Sequence, residues 1–338
     1  MIDEITHRQL VKTSYYDDMT RISNSNIGWF LNKGPAYLHS MLEGKSESAT
    51  GAQLARGTMI HEYLLQPEEF QKDYVVWNKS RPSSAQQEKF CQELAQSVEI
   101  EPNKAVLSAF KTAYKVSGRS EEKMLSEGLK IASDLKDYID WLKNGDNRIQ
   151  ISPYDANQLM QIAENIQQHK LAKELLKTEG INGDVELFHE FHINWEFKKN
   201  DIHVPCKSLL DSVCFDFKNK KCILMDLKTT VHISCFEESM NQYDYLRQLC
   251  YYTMAIWWYL ENERKEDTSK WSIEWYIIGI DTTGTNEIRV FQFEDKQIES
   301  RFNTITKSLI DIGWHSENNL WEHTREYYEG NGAEKLNL

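Results

Sequence analysis

Asp211 is followed, after fourteen intervening residues, by Asp226-Leu227-Lys228. Two carboxylates and an ammonium that converge can hold a divalent cation against a phosphodiester. Hard ions such as Mg²⁺ and Mn²⁺ prefer oxygen ligands and usually keep waters that can serve as the nucleophile. The lysine would orient or help deprotonate that water, or offset charge developing on the phosphoryl oxygens. Asp-x-Lys alone is a common way for a strand to end, so the chemistry depends on the elements around it.

Residues 222–229, Cys-Ile-Leu-Met-Asp-Leu-Lys-Thr, read as a short buried strand. Side chains on a strand alternate with period two, which puts Asp226 and Lys228 on one face. A second strand over 204–217 carries Asp211, and Lys218-Asn219-Lys220-Lys221 is polar enough for the hairpin turn between them. Pairing the two strands brings Asp211 beside Asp226. Another strand is expected at 185–197, a long helix at 236–261, and a strand pair at 273–281 and 288–293 around Thr282-Thr283-Gly284-Thr285, followed by a helix at 297–312. This order predicts an α/β fold with a mixed central sheet flanked by helices.

Upstream, Ser23-Asn24-Ser25-Asn26 supplies caps for a short helix that Gly34-Pro35 stops. Gly57-Thr58-Met59-Ile60-His61 opens a second helix that runs to Pro67, with His61 in its first turns. Residues 83–177 are helical in pattern, with polar breaks such as Glu101-Pro102-Asn103 and Gly145-Asp146-Asn147, and predict an inserted helical layer. The expected organisation is one domain over 1–320, its catalytic sheet and helices at about 184–313, and a polar tail over 321–338 that frays near Gly330.

A formal charge of −13 argues against coating nucleic acid over the whole surface but leaves room for a local basic track. The six cysteines, at 91, 206, 214, 222, 235 and 250, form no Cys-x-x-Cys pair and no zinc-like spacing. They read as reduced core residues, which argues against an iron–sulfur cluster. The polar start Met1-Ile2-Asp3-Glu4-Ile5-Thr6 and the lack of an apolar run of eighteen predict a soluble, cytoplasmic chain with no membrane partner. A small-molecule phosphohydrolase is disfavoured because no glycine-rich phosphate loop is present.

Four stretches, in order, resemble the PD-(D/E)XK nuclease superfamily, and within it the phage and prophage exonucleases of the exonuclease VIII (RecE) type, related to lambda exonuclease and the RecB nuclease domain. They are the helix start at Ser23 and Ser25 leading to Pro35; Gly57 to His61 with Leu64-Leu65-Gln66-Pro67-Glu68-Glu69-Phe70; Cys206-Lys207 to Asp211 with Met225 to Thr230; and Gln248 to Tyr252. Together they span nearly the whole chain. Where an arginine and proline often precede the aspartate in the family, this chain has Ser208-Leu209-Leu210, which unsettles the details of phosphate contact but not the metal carboxylates.

The resemblance implies that His61, Asp211 and Asp226 hold the metal and that Lys228 is catalytic. Glu190, which begins Glu-Phe-His-Ile-Asn-Trp, would be a further ligand, with Glu186 competing for the role. His189 and His192, three apart on a strand, should face opposite ways and make no metal pair. Gln248 and Tyr252, four apart on a helix, share a face that could meet the phosphate or the metal site. Lys207, Arg56, Arg247 and Ser25 are candidates for substrate contact. The implied activity is Mg²⁺- or Mn²⁺-dependent degradation of double-stranded DNA from an end, 5′ to 3′, supplying single strands to an annealing recombinase. Relatives form rings, which implies a homo-oligomer. The alternatives are an endonuclease or single-strand processing nuclease of the same fold, and a catalytically silent scaffold that binds DNA or a recombinase.

Overall fold

A computed structural model describes residues 15–45, 52–99, 101–177 and 183–332. The polar N-terminal start and residues 333–338 of the expected tail lie outside them. In chain order the elements are α1 (Asn24–Lys33), α2 (Pro35–Leu42), α3 (Ala52–Leu65), α4 (Pro67–Asp73), β1 (Tyr74–Val76), α5 (Ala85–Ala95), α6 (Pro102–Ala113), α7 (Glu121–Asp134), α8 (Lys136–Lys143), β2 (Ile149–Ile151), α9 (Pro153–Gln168) and α10 (Lys170–Leu175). Then come β3 (Val185–Lys199), β4 (Ile202–Asp216), β5 (Lys221–Thr230), α11 (Phe236–Tyr243), α12 (Tyr245–Asn262), β6 (Ser272–Asp281), β7 (Ile288–Phe293), α13 (Asp295–Glu299), α14 (Phe302–Asn318) and α15 (Arg325–Glu329).

The chain divides into two compact units, 1–67 with 159–338, and 68–158. In the smaller unit, β1 and β2 pair in parallel, and Phe90, Val106, Phe110, Met124 and Ile139 form the core. Where the sequence pattern places the helical insertion at 83–177, the smaller unit begins at Glu68 and ends at Gln158. The second half of α9 belongs to the larger unit, where Ile162 and Ile166 are buried and Asn165 donates to the carbonyl of Asn286 at 2.7 Å.

The larger unit is a mixed α/β structure built on a five-stranded sheet ordered β3-β4-β5-β6-β7. β3, β4 and β5 form an antiparallel meander, β5 and β6 are parallel, and β6 and β7 are antiparallel. A parallel step needs a crossover, which α11 and α12 provide. β5 lies in the middle of the sheet, so its run from Cys222 to Leu227 is almost wholly apolar, and Asp226 is conspicuous within it. On one face, α12 buries Leu249, Tyr251, Ala255, Ile256 and Tyr259 in a core shared with Trp195, Phe215 and Trp275. The indoles of Trp195 and Trp275 donate to Ser208 and Thr253, so burying them orphans no polar group.

Several elements depart from the pattern-based reading. The single helix expected over 236–261 is broken at Asp244, which adopts φ 47° and ψ 57°. The helix carrying His61 begins at Ala52 rather than at Gly57. The last long helix runs on to Asn318. The stretch expected as a polar tail contains α15 and a buried Trp321, whose ring is stacked between His39 and His315.

Candidate active site

The site forms where two paired strands separate. β4 and β5 are hydrogen-bonded from Asp216↔Lys221 to Ser212↔Met225 and no further. Asp211 and Asp226 are the next residues in register and stand on the two arms of the fork. The carboxylate of Asp211 accepts the backbone N–H of Leu227 at 2.7 Å, in place of the main-chain carbonyl that continued pairing would have supplied. Farther along the freed edge of β4, Ile22 forms a bridge to Cys206, which sets the start of α1 beside the fork. That start is fixed by a capping box between Ser23 and Asn26.

α3 crosses the open fork. Gly57 packs so closely on β5 that a Cβ there would lie 3.2 Å from Thr229 Oγ1. One helical turn later His61 brings Nδ1 to 3.6 Å from Asp211 Oδ2, too long for a hydrogen bond. From the other side comes Glu190. It faces Asp211 across the gap between the pairs His189↔Ser212 and Phe191↔Leu210. Its φ of 49° is unusual for a residue within a strand. Ligand atoms of His61, Glu190 and Asp211 all lie within 4.8 Å of one another.

The left-handed residue also resets the alternation of β3. Phe188 and Phe191, three apart, stack at 4.5 Å, which regular alternation forbids. The spacing rule that assigned His189 and His192 to opposite faces therefore fails here, and His192 packs edge-on against Tyr15. Glu186 is not at the site: it forms a two-pronged pair with Arg264 at 2.7 and 2.8 Å.

Asp226 is 1% exposed and shares a face with Lys228, whose ammonium lies 2.5 Å from its Oδ2. The pair is close but poorly directed, and among the described residues neither oxygen of Asp226 has a hydrogen-bond partner of acceptable geometry. Burial pushes the Asp226 carboxyl up to about 6, with Lys228 opposing and Asp211 adding to the rise. Burial likewise raises Asp211, against the pull of Lys228 and the Leu227 N–H. Burial works against the Lys228 ammonium, but the two carboxylates together outweigh it and hold its pKa above the usual lysine value. Such a set of acidic groups around one lysine is short of positive charge, and the acceptor atoms on offer suit a hard divalent cation.

The remaining sequence candidates fall into two groups. Gln248 donates to Tyr252 Oη at 2.8 Å, and the buried phenol of Tyr252 is raised far above its normal range, chiefly by burial, with Tyr15 and then Asp226 and Asp211 contributing. Arg56 is half-buried on α3 one residue before Gly57, and Ser25 is exposed on the first turn of α1. Lys207 and Arg247 are corrected by the structure. Lys207 is 5% exposed, and its ammonium is bound by the carbonyls of Tyr15 and Asp18 and lies over the ring of Tyr15. Arg247 is buried and donates to Asn24 Oδ1 at 3.0 Å, tying α12 to α1. Both side chains are buried and hold the segment before and along α1.

Sequence reasoning missed Tyr245. Its ring lies 5.0 Å from the Lys228 ammonium, a cation–π contact. The residue has no motif, and only the break at Asp244, itself unsignalled by proline or glycine, turns it toward β5.

No protein-family model matches the chain, and no curated protein does. Among solved structures the chain is similar to a crystal structure from Eubacterium rectale named "Putative exonuclease", with 11% identity and a TM-score of 0.47 over 96% of this chain and 94% of that one.

Proposed function

We propose that this protein is a Mg²⁺- or Mn²⁺-dependent deoxyribonuclease that degrades double-stranded DNA from an end, 5′ to 3′, leaving single strands for an annealing recombinase. The observation that carries the reading is the fork at Asp211 and Asp226, with ligand atoms of His61 and Glu190 within 4.8 Å of the Asp211 carboxylate and the Lys228 ammonium 2.5 Å from Asp226. A buried carboxylate oxygen without a partner is costly unless something coordinates it; among the described residues Oδ1 of Asp226 has no hydrogen bond, and Oδ2 has only the Lys228 ammonium at 2.5 Å.

Asp211, Asp226 and His61 would hold the ion, with Glu190 as a further ligand. When bound, it would supply Lewis acidity toward the scissile phosphate and favour ionisation of the attacking water. Lys228 places fixed positive charge in a buried position, where a phosphoryl oxygen gaining charge is stabilised more than it would be in water. The Leu227 N–H fixes the orientation of the Asp211 carboxylate before substrate arrives. Gln248 and Tyr252 hold one another in place beside the carboxylates.

The test is hydrolysis of end-labelled linear duplex with Mg²⁺, comparing the native protein with Asp226→Ala and comparing linear with closed circular DNA. The expected result is short products from linear DNA, intact circles, and a rate lower by roughly a hundredfold or more in the variant. Failure to cleave any DNA form with either metal overturns the reading. Opening of circles moves it to an endonuclease.

A further inference from the structure

We propose that Tyr243 and Tyr245 form a stacking platform for an unpaired base beside the scissile phosphate, so that the site takes a single-stranded or frayed end rather than an intact base pair. The inference rests on the nuclease reading and names the form of DNA that this site accepts.

Tyr243 is the last residue of α11 and Tyr245 the first of α12. On a continuous helix, residues two apart do not face each other. Here the intervening Asp244 adopts a left-handed conformation, uncommon outside glycine, and its carboxylate is fixed by Arg301 Nε at 2.6 Å. The reversal stacks the two rings, with centroids 5.7 Å apart and planes 21° from parallel. The inner ring receives the Lys228 ammonium at 5.0 Å. The outer one, Tyr243, is 56% exposed, and its one ring partner among the described residues is Tyr245.

Core packing accounts for Tyr245, which also contacts Phe236, but not for the open face of Tyr243. Lys228 lies over Tyr245, Tyr243 stacks on Tyr245, and the ring of Tyr243 is exposed, so a strand whose phosphate meets the ammonium can lay the base of a neighbouring nucleotide on Tyr243. Stacking of this kind tolerates any base sequence, as a degradative enzyme requires. A base still paired within a duplex has both faces covered, so only an unpaired one can use the platform.

The experiment measures kcat/KM for the native protein and Tyr243→Ala on two end-labelled linear duplexes, one natural and one with abasic sites at the terminal nucleotides of the degraded strand. Tyr243→Trp serves as the folding control. On natural DNA, Tyr243→Ala should lose about tenfold to a hundredfold while Tyr243→Trp retains activity. On the abasic substrate, the native protein and Tyr243→Ala should be equally slow. Equal losses from Tyr243→Ala on both substrates, or no loss on either, overturn the platform while leaving the nuclease reading standing. Absence of cleavage by the native protein on natural DNA overturns that reading instead.

Discussion

Asp211 and Asp226 occupy the first register positions beyond the last hydrogen-bonded pair of β4 and β5, and the side chain of Asp211 takes the N–H of Leu227 that the ladder leaves unclaimed. The end of pairing and the formation of the acidic site are one event. The displaced N–H orients the carboxylate of Asp211, which in the function proposed above would hold a cation.

Metal should therefore stabilise the fold measurably. Thermal melting with saturating Mn²⁺ or Mg²⁺ is expected to raise Tm by several degrees over the EDTA-treated protein, since an ion at a hundredfold excess over its Kd contributes about 2.7 kcal/mol. The shift should vanish in Asp226→Asn. A shift of equal size in that variant would place the ion elsewhere.

Gly57→Ala should separate stability from activity. Alanine is the better helix former by up to about 1 kcal/mol. Its Cβ, however, would meet Thr229 Oγ1 at 3.2 Å, a tight contact that Thr229 or α3 must relieve, and a shift of α3 carries His61 with it. Tm should stay within a few degrees of the native value while the cleavage rate falls severalfold. Unchanged kinetics would show that His61 does not depend on this close approach.

Lys207→Met should destabilise the fold without changing DNA affinity in the way a lost phosphate contact would. Its ammonium satisfies the carbonyls of Tyr15 and Asp18, and leaving buried acceptors unpaired costs about 1–3 kcal/mol. The salt dependence of DNA binding should keep its slope. A slope shallower by about one would mean that Lys207 does meet a phosphate.

Acid should weaken the region around Trp321. Burial lowers the pKa of His315 below the ordinary imidazole value of 6.5, with Leu320 and Asp311 opposing. Its Nδ1–H donates to the Leu320 carbonyl, and the buried Nε2 has no partner among the described residues to receive a second N–H. A folded-state pKa below the unfolded one means that the unfolded chain binds more protons between the two values. The stabilisation is complete above 6.5 and is lost as pH falls from there through the folded pKa. Tm measured from pH 7.5 to 5 should fall more steeply for the native protein than for His315→Gln; equal slopes would remove His315 as the cause.

The alternation of residues 222–229 and the apolar runs around it were enough to place five strands within a few residues of their positions, to set Asp226 and Lys228 on one face, and to pair the strands that carry Asp211 and Asp226. Those features follow from periodicities of two and 3.6, which local sequence records directly. The left-handed turns at Glu190 and Asp244 were not legible, because neither position holds a glycine and a single reversed residue leaves no periodic trace. The fates of Lys207 and Arg247 were also hidden: a basic side chain reads the same whether it reaches solvent or is covered by a distant segment, here the stretch from Tyr15 to Asn24. Sequence thus determined which groups could do chemistry, while only tertiary structure decided which of them converge, since convergence depends on where pairing stops and on which segments, far apart in the chain, pack over the place where it does.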